Sequence, residues 1–447
     1  MDATRTTRSW PTTLGATVLL LMAATTAVPA CGARTGLPIG DPAACTAFNA
    51  AADVAPLDVL LMVDSSGSMD FKTAEGISKW SAMQQALGAF LVDPASNGIA
   101  AGIAFFPILD PQVPQNCSSD ADCGAPGACE IIKACLPTAT DLCETDADCV
   151  ALGQTTDACL KLGRCQNDLT QHCIPATTPM CATGLGACLE EGICNNQSSC
   201  DVPGYASPVV GVDLLPGAAP EILAAMKARS PAGATPTLAA LSGAIATARA
   251  RTAELPSHKA IVILATDGLP TTCDPAIVKS DLQSGIPALV AAASQGLDDG
   301  VQTFLIGVLS PDEKVAAQAN LDAIAVAGGS KGAIVITTSE VVSQKLLEAL
   351  GKVRASSQAC EYAIPTSGGA LPDLSRATVR LTPPGGKPTL ATRRASATAC
   401  DPASGGFYFD KDPSGPTAPG RIILCPATCD LFGDAKDRPI EVLVVCG

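Results

Sequence analysis

Between Cys117 and Cys200 the chain carries 13 of its 21 cysteines and not one Phe, Trp or Tyr. A segment of that composition cannot bury enough apolar surface to hold itself together, so covalent crosslinks must stand in for a hydrophobic core. Disulfides at such density persist only in an oxidising compartment. The cysteines also repeat. Cys117, Cys123, Cys129 and Cys135 form a first tetrad; Cys143, Cys149, Cys159 and Cys165 a second; Cys173, Cys181, Cys188 and Cys194 a third. The words Asp120-Ala121-Asp122-Cys123 and Asp146-Ala147-Asp148-Cys149 mark the first two as copies. The expectation is three small modules of two bridges each, with the connectivity inside a tetrad open, since four cysteines allow three pairings. A zinc reading is weaker: no Cys-x-x-Cys pair occurs in this stretch and its only histidine is His172.

The sequence on either side of this insert is of another kind. Val59 to Val63, Ile99 to Phe106, Ile261 to Leu264, Phe304 to Leu309 and Ala333 to Ile336 are nearly continuous apolar runs of strand length. Between them lie helical faces: Trp80, Met83, Leu87, Phe90 and Leu91; Leu238, Leu241 and Ile245; Val342, Leu346, Leu350 and Val353. Aromatic residues make up 3% of the chain against 47% hydrophobic, so a large core must be filled by Ala, Val, Ile and Leu. That suits buried parallel strands under Ala-rich helices. Strand, helix, strand in repetition predicts an α/β fold, a doubly wound, mostly parallel sheet over residues 58–357, interrupted at 117–200. Such sheets carry their binding loops at the carboxyl ends of the strands, where strand order reverses.

The ends of the chain read as export and attachment. Arg5 and Arg8 precede an apolar stretch from Leu14 to Val28 and small residues before Cys31, the pattern of a signal peptide over 1–30. The stretch is broken by Gly and Thr and falls short of the roughly 18 to 20 clean apolar residues of a membrane span. Val28-Pro29-Ala30-Cys31 resembles a lipobox, which implies a bacterial lipoprotein with lipid on Cys31, although Pro29 departs from the usual small residue. Ordinary cleavage after Ala30 is the alternative, and both predict export, to the outer membrane or cell surface or else to the periplasm or medium. Contact with the membrane is then through the lipid only. Residues 31–57 read as a linker. Residues 358–447 are rich in Pro, Gly and Thr, with strand-like runs at Ala377 to Leu381, Phe407 to Phe409, Ile422 to Leu424 and Ile440 to Val445, and predict a small disulfide-bonded β domain.

The chemistry lies in three short motifs. Asp64-Ser65-Ser66-Gly67-Ser68-Met69 follows the first strand, Gly233-Ala234-Thr235-Pro236-Thr237 stands before the Leu238 helix, and Thr266-Asp267-Gly268 ends the Ile261 strand. Together they resemble the metal-ion-dependent adhesion site of the von Willebrand factor type A family. The resemblance implies that Ser66, Ser68 and Thr235 offer hydroxyl oxygens and that Asp64 and Asp267 bind directly or through water. Hard cations such as Mg²⁺ or Mn²⁺, with Ca²⁺ as the remaining option, suit oxygen donors of this kind. It further implies a position left open for an acidic side chain of a protein partner. In that family the third strand is a short antiparallel edge strand, here Val209 to Leu215, which puts the insert on the metal's side of the sheet. As a corollary Cys200, left over from the tetrads, is expected to pair with Cys273, on the same rim as Asp267.

Other classes find little support. A net charge of -15 speaks against a nucleic-acid partner, which wants a basic face. Only His172 and His258 exist, neither in a recognisable catalytic set, and His258 reads as a solvated loop residue. No Gly-rich loop carries the Lys-Ser/Thr of a nucleotide site. Cys425-Pro426-Ala427-Thr428-Cys429 is one residue longer than a redox Cys-x-x-Cys and reads as structural. The expectation is therefore a metal-dependent binder of protein, neither an enzyme nor a receptor for a small-molecule substrate. The alternative is a structural envelope lipoprotein whose contacts do not need the metal.

Overall fold

The computed structural model describes residues 48–444 apart from 115, 126, 136–142, 144–145, 152–157, 195, 275–281, 359, 367–372 and 433–438. The expectations for the signal segment 1–30 and for Cys31 lie outside the described residues. In chain order the main elements are β1 (Phe48–Ala52), β2 (Leu57–Asp64), α1 (Lys79–Val92), β3 (Ala100–Phe106), β4 (Val210–Leu214), α2 (Ala219–Ala228), α3 (Thr237–Glu254) and β5 (Lys259–Thr266). There follow α4 (Ile286–Asp298), β6 (Gln302–Leu309), α5 (Pro311–Ala327), β7 (Ile334–Thr337) and α6 (Val342–Gln358). The carboxyl-terminal part holds β8 (Glu361–Ala363), β9 (Ala377–Leu381), β10 (Thr389–Ala391), β11 (Phe407–Phe409), β12 (Arg421–Leu424) and β13 (Ile440–Val444).

Six strands form the central sheet in the order β4-β3-β2-β5-β6-β7. All neighbours run parallel except β4, which pairs antiparallel with β3 at the edge. Every residue of β2 and β5 is buried, as their near-continuous apolar sequence requires of strands covered on both sides. Leu57, Val59, Leu61 and Val63 share a core with α1, α2 and α6; Leu60 and Met62 share another with α3, α4 and α5. The chain enters at β2, moves outward to β3 and β4, then returns to lay β5 on the other side of β2. The order of strands reverses there, between the carboxyl ends of β2 and β5.

The insert leaves the sheet after β3 and returns before β4 through a two-stranded neck. Ser199 N donates to Ile108 O at 2.7 Å and Asp110 N to Gln197 O at 2.6 Å. The Tyr205 hydroxyl fastens both sides of the neck, accepting from Ile108 N at 3.0 Å and donating to Ser199 O at 2.8 Å. Tyr205 lies so close to α3 that a Cβ on Gly243 would stand 2.5 Å from its own Cβ, which is why glycine occupies that position.

Within the insert the bridges cut across the expected tetrads. They join Cys117 to Cys129, Cys123 to Cys194, Cys135 to Cys149, Cys143 to Cys159, Cys165 to Cys181 and Cys173 to Cys188. Two-bridge modules survive, three in number, but Cys135, Cys165 and Cys194 each serve a module other than the one their spacing suggested. The reason is a chain reversal: the strand Gly192–Cys194 pairs with Cys129–Ile131, so the end of the insert closes the first module. The repeated word keeps its local meaning, since Asp120 Oδ1 accepts from Cys129 N and Asp146 Oδ1 from Cys159 N, each at 2.7 Å.

Residues 31–57, expected as a linker, contribute β1 to the carboxyl-terminal part, where it pairs with β13. One sheet there has the order β1-β13-β9-β10 and the other β8-β12-β11, with Cys360–Cys429 and Cys400–Cys425 as bridges. Glu361 of β8 lies between Lys259, the first residue of β5, and Arg421 of β12, the latter at 2.8 Å. The β domain therefore meets the amino ends of the parallel strands. His258, expected in solvent, is a member of this charged end: its Nδ1 is 3.1 Å from the carboxylate of buried Asp58, which also accepts from Arg251 at 2.7 Å. Spacing could not show that the Asp58 end of β2 lies beside His258. Among the described residues no helix is long and apolar enough to cross a membrane.

Candidate metal centre

At the reversal point β2 ends in Asp64, fully buried, and the chain turns through Ser66 into a single 3₁₀ turn, Gly67–Asp70. Asp64 Oδ1 accepts from Ser66 N at 2.8 Å, which bends the loop back over the strand end. Its Oδ2 accepts from Thr266 Oγ1 at 2.7 Å, across to the last residue of β5. The next residue, Asp267, takes Ser68 Oγ on Oδ1 at 2.9 Å, and Ser68 Oγ lies 3.2 Å from Ser66 Oγ. Four of the five residues expected from the motifs are thus joined by one hydrogen-bonded chain.

Thr235, the fifth, is held there through its backbone. Gly67 N donates to Gly233 O at 3.0 Å and Ala232 N to Ser65 O at 2.9 Å, docking the Thr235 loop on the Asp64 loop. Thr235 N donates to Thr271 Oγ1 at 2.9 Å while Thr271 N donates to Thr235 O at 3.1 Å, docking it equally on the loop after β5. From the far side Arg229 supports the turn, its Nε donating to Ser65 Oγ at 2.9 Å and its guanidinium to Pro107 O.

Two carboxylates on adjacent strand ends, both shielded from water, set the electrostatics. Burial first, and the charge of Asp267 second, push the Asp64 carboxyl up to about 7, against the pull of its hydrogen bonds to Ser66 and Thr266. One cation is already present. Lys79, the first residue of α1, places Nζ 3.1 Å from Asp267 Oδ2 with only 3% of its side chain exposed.

The donors are hydroxyl and carboxylate oxygens, a set that fits a hard divalent cation and not a soft one. The cysteine triads that lie close enough together to ligate, around Cys117, Cys135 and Cys165, consist wholly of disulfide-bonded residues. Asp64, Ser66, Ser68, Thr235 and Asp267 are the residues that could hold such an ion.

The insert reaches this site. Ile193 stands 3.9 Å from where a Cβ on Gly67 would be, Ser198 Oγ accepts from Ala234 N at 2.9 Å, and a disulfide joins Cys200 to Cys273. Beside it opens a cleft of about 1050 Å³ whose walls include Leu109, Asp110, Asp201, Cys273 and Asp274.

Sequence reasoning missed Lys79, Thr266, Ser198 and Thr271. Lys79 left a signal: a lysine at the first position of a helix opposes the helix dipole, so a carboxylate facing it should be sought. Thr266 stands inside a recognised motif, but its role became visible only with β5 beside β2. Ser198 and Thr271 leave none, because their partners are backbone groups of a distant loop.

No protein-family model and no curated protein matches this chain. Solved structures similar to it include the human COPII-coat protein Sec24c, at 9% identity over 88% of this chain and 39% of that one, with a TM-score of 0.32. The chain thus matches well under half the length of Sec24c. A second is the conserved hypothetical protein BatB from Bacteroides thetaiotaomicron, at 11% identity over 66% of this chain and 98% of that one, with a TM-score of 0.30.

Proposed function

We propose that this chain is an exported protein of the von Willebrand factor type A kind, with a doubly wound sheet, that grips a protein partner through a divalent cation and does no catalysis. The observation that carries this reading is the convergence of the Asp64, Thr235 and Asp267 loops at one strand-order reversal, with two buried carboxylates beside the hydroxyls of Ser66, Ser68 and Thr266. When bound, Mg²⁺ or Mn²⁺ supplies an electrophilic coordination position that an acidic side chain of the partner completes. Asp64 and Asp267 provide the negative charge that holds the ion. Lys79 offsets part of that charge, so the centre keeps a net attraction for an incoming carboxylate. Neither histidine is poised as a base: His258 is engaged by Asp58 and His172 lies near Glu191 in the insert. The disulfides fit an oxidising compartment, and a lipid on Cys31 would hold the protein at the membrane without a span.

The test is a pulldown from envelope extracts with wild type and Asp64→Ala, with and without EDTA. Capture lost on chelation or on substitution, and regained with Mg²⁺ or Mn²⁺, supports the proposal. Capture indifferent to both favours the second reading, a structural envelope lipoprotein, for which the Lys79–Asp267 pair already speaks as a metal-free way of neutralising the site.

A further inference from the structure

We infer that the exit strand of the cysteine insert and its Cys200–Cys273 bridge form a clamp that holds Thr235 in place to receive the cation, which makes Ser198 and Thr271 positioning residues of the metal centre. The inference rests on the metal reading above and deepens it.

The Thr235 loop has no strand or helix to fix it between α2 and α3. It is fixed instead by a closed circuit. Ser198 Oγ takes the Ala234 N–H at 2.9 Å; Thr271 exchanges two hydrogen bonds with Thr235; and the loop carrying Thr271 is tied back to the loop carrying Ser198 by the bridge between Cys200 and Cys273. The neck also packs against the same loop at Gly233. A Cβ on Gly233, whose φ is +81°, would meet Leu109 at 2.6 Å, Pro107 at 2.9 Å and Ser198 Oγ at 3.0 Å. Cys273 itself has a positive φ of 69°, a conformation uncommon outside glycine and held by its crosslinked surroundings. A hydroxyl ligand on an irregular loop binds well only if that loop is ordered before the ion arrives, and groups that orient ligands commonly govern affinity.

The experiment measures Mn²⁺ binding to the full chain by calorimetry, together with hydrogen exchange at the Ala234 and Thr235 amides. Compared with wild type are Ser198→Ala, Thr271→Val, Thr271→Ser, the double variant Cys200→Ser/Cys273→Ser, and Asp64→Ala as the ligand control. The expected result is Mn²⁺ binding weaker by about 10- to 100-fold in the Ser198→Ala, Thr271→Val and double-cysteine variants. Exchange at Ala234 and Thr235 should quicken while β2 and β5 stay protected, and Thr271→Ser should restore binding. Should the double variant fail to fold, Ser198→Ala and Thr271→Val decide the matter. Clamp variants that bind Mn²⁺ like wild type while Asp64→Ala does not would overturn the clamp alone. Wild type that binds no better than Asp64→Ala would overturn the metal reading and the clamp with it.

Discussion

Lys79 occupies a place that a cation avoids, the amino end of a helix, and is stabilised there by the buried carboxylate of Asp267. Removing one partner of a buried pair strands the other. Lys79→Met is expected to cost the metal-free protein roughly 3 to 5 kcal/mol in chemical denaturation, and saturating Mg²⁺ should restore more stability to this variant than to wild type. An unchanged denaturation midpoint would show that Asp267 is neutralised by other means. Asp64 gives a pH dependence of definite sign. Its folded value of about 7 lies above the ordinary 3.8, so between these limits the folded state holds the extra proton. Stability of the protein in EDTA should therefore be greatest near the acid end of this window, fall as pH rises toward 7 and level off beyond. Melting temperatures from pH 4 to pH 8 test this; Asp64→Asn should flatten the decline, and the stabilisation by Mg²⁺ should grow over the same range because binding expels the proton. The five motif residues were named through the family resemblance of three short motifs, and the apolar runs place those motifs at the ends of β2 and β5 and just ahead of α3. Lys79, Ser198 and Thr271 were not, since what matters in them is a partner far away in the chain.

At the level of elements, five strands of the central sheet were written in the apolar runs, while the edge strand β4 was expected only from the family resemblance, and β9 and β11 match their predicted runs residue for residue. The six bridges within the insert's modules were not, because cysteine spacing records neighbours along the chain while pairing follows strand contacts. Peptide mapping without reduction should find Cys135 joined to Cys149 and Cys123 to Cys194. Cys135 found with Cys117, Cys123 or Cys129 would restore the tetrads and remove the closure of the insert on itself. The contact between Tyr205 and α3 makes a second prediction. Alanine at position 243 gains up to about 1 kcal/mol of helix propensity but must force apart two backbones, a strain of about 1 to 3 kcal/mol. Gly243→Ala should thus lower the denaturation midpoint and loosen the neck; a rise would mean that Tyr205 does not approach so closely.

At the scale of the whole molecule the described residues form three parts: the central sheet, a crosslinked insert at its carboxyl rim, and a β domain at its amino end. The last was legible only in part, since β1 lies in a stretch that reads as linker; short strands without a helical partner leave weak patterns. Its pairing with β13 makes the leading segment part of the carboxyl-terminal sheet. A chain beginning at Asp53 should melt at a lower temperature than one beginning at Thr46, and equal melting would show that the pairing contributes nothing.

The same arrangement sets the path that a pulling force would take through the chain. A pull applied ahead of Phe48 and resisted at Asp64 runs along the chain through β1, residues 53–56 and β2. β2 is gripped along both edges, by β3 and by β5, in parallel ladders that tension must slide all at once instead of unzipping one rung at a time. The outer strands β4, β6 and β7 lie off this line.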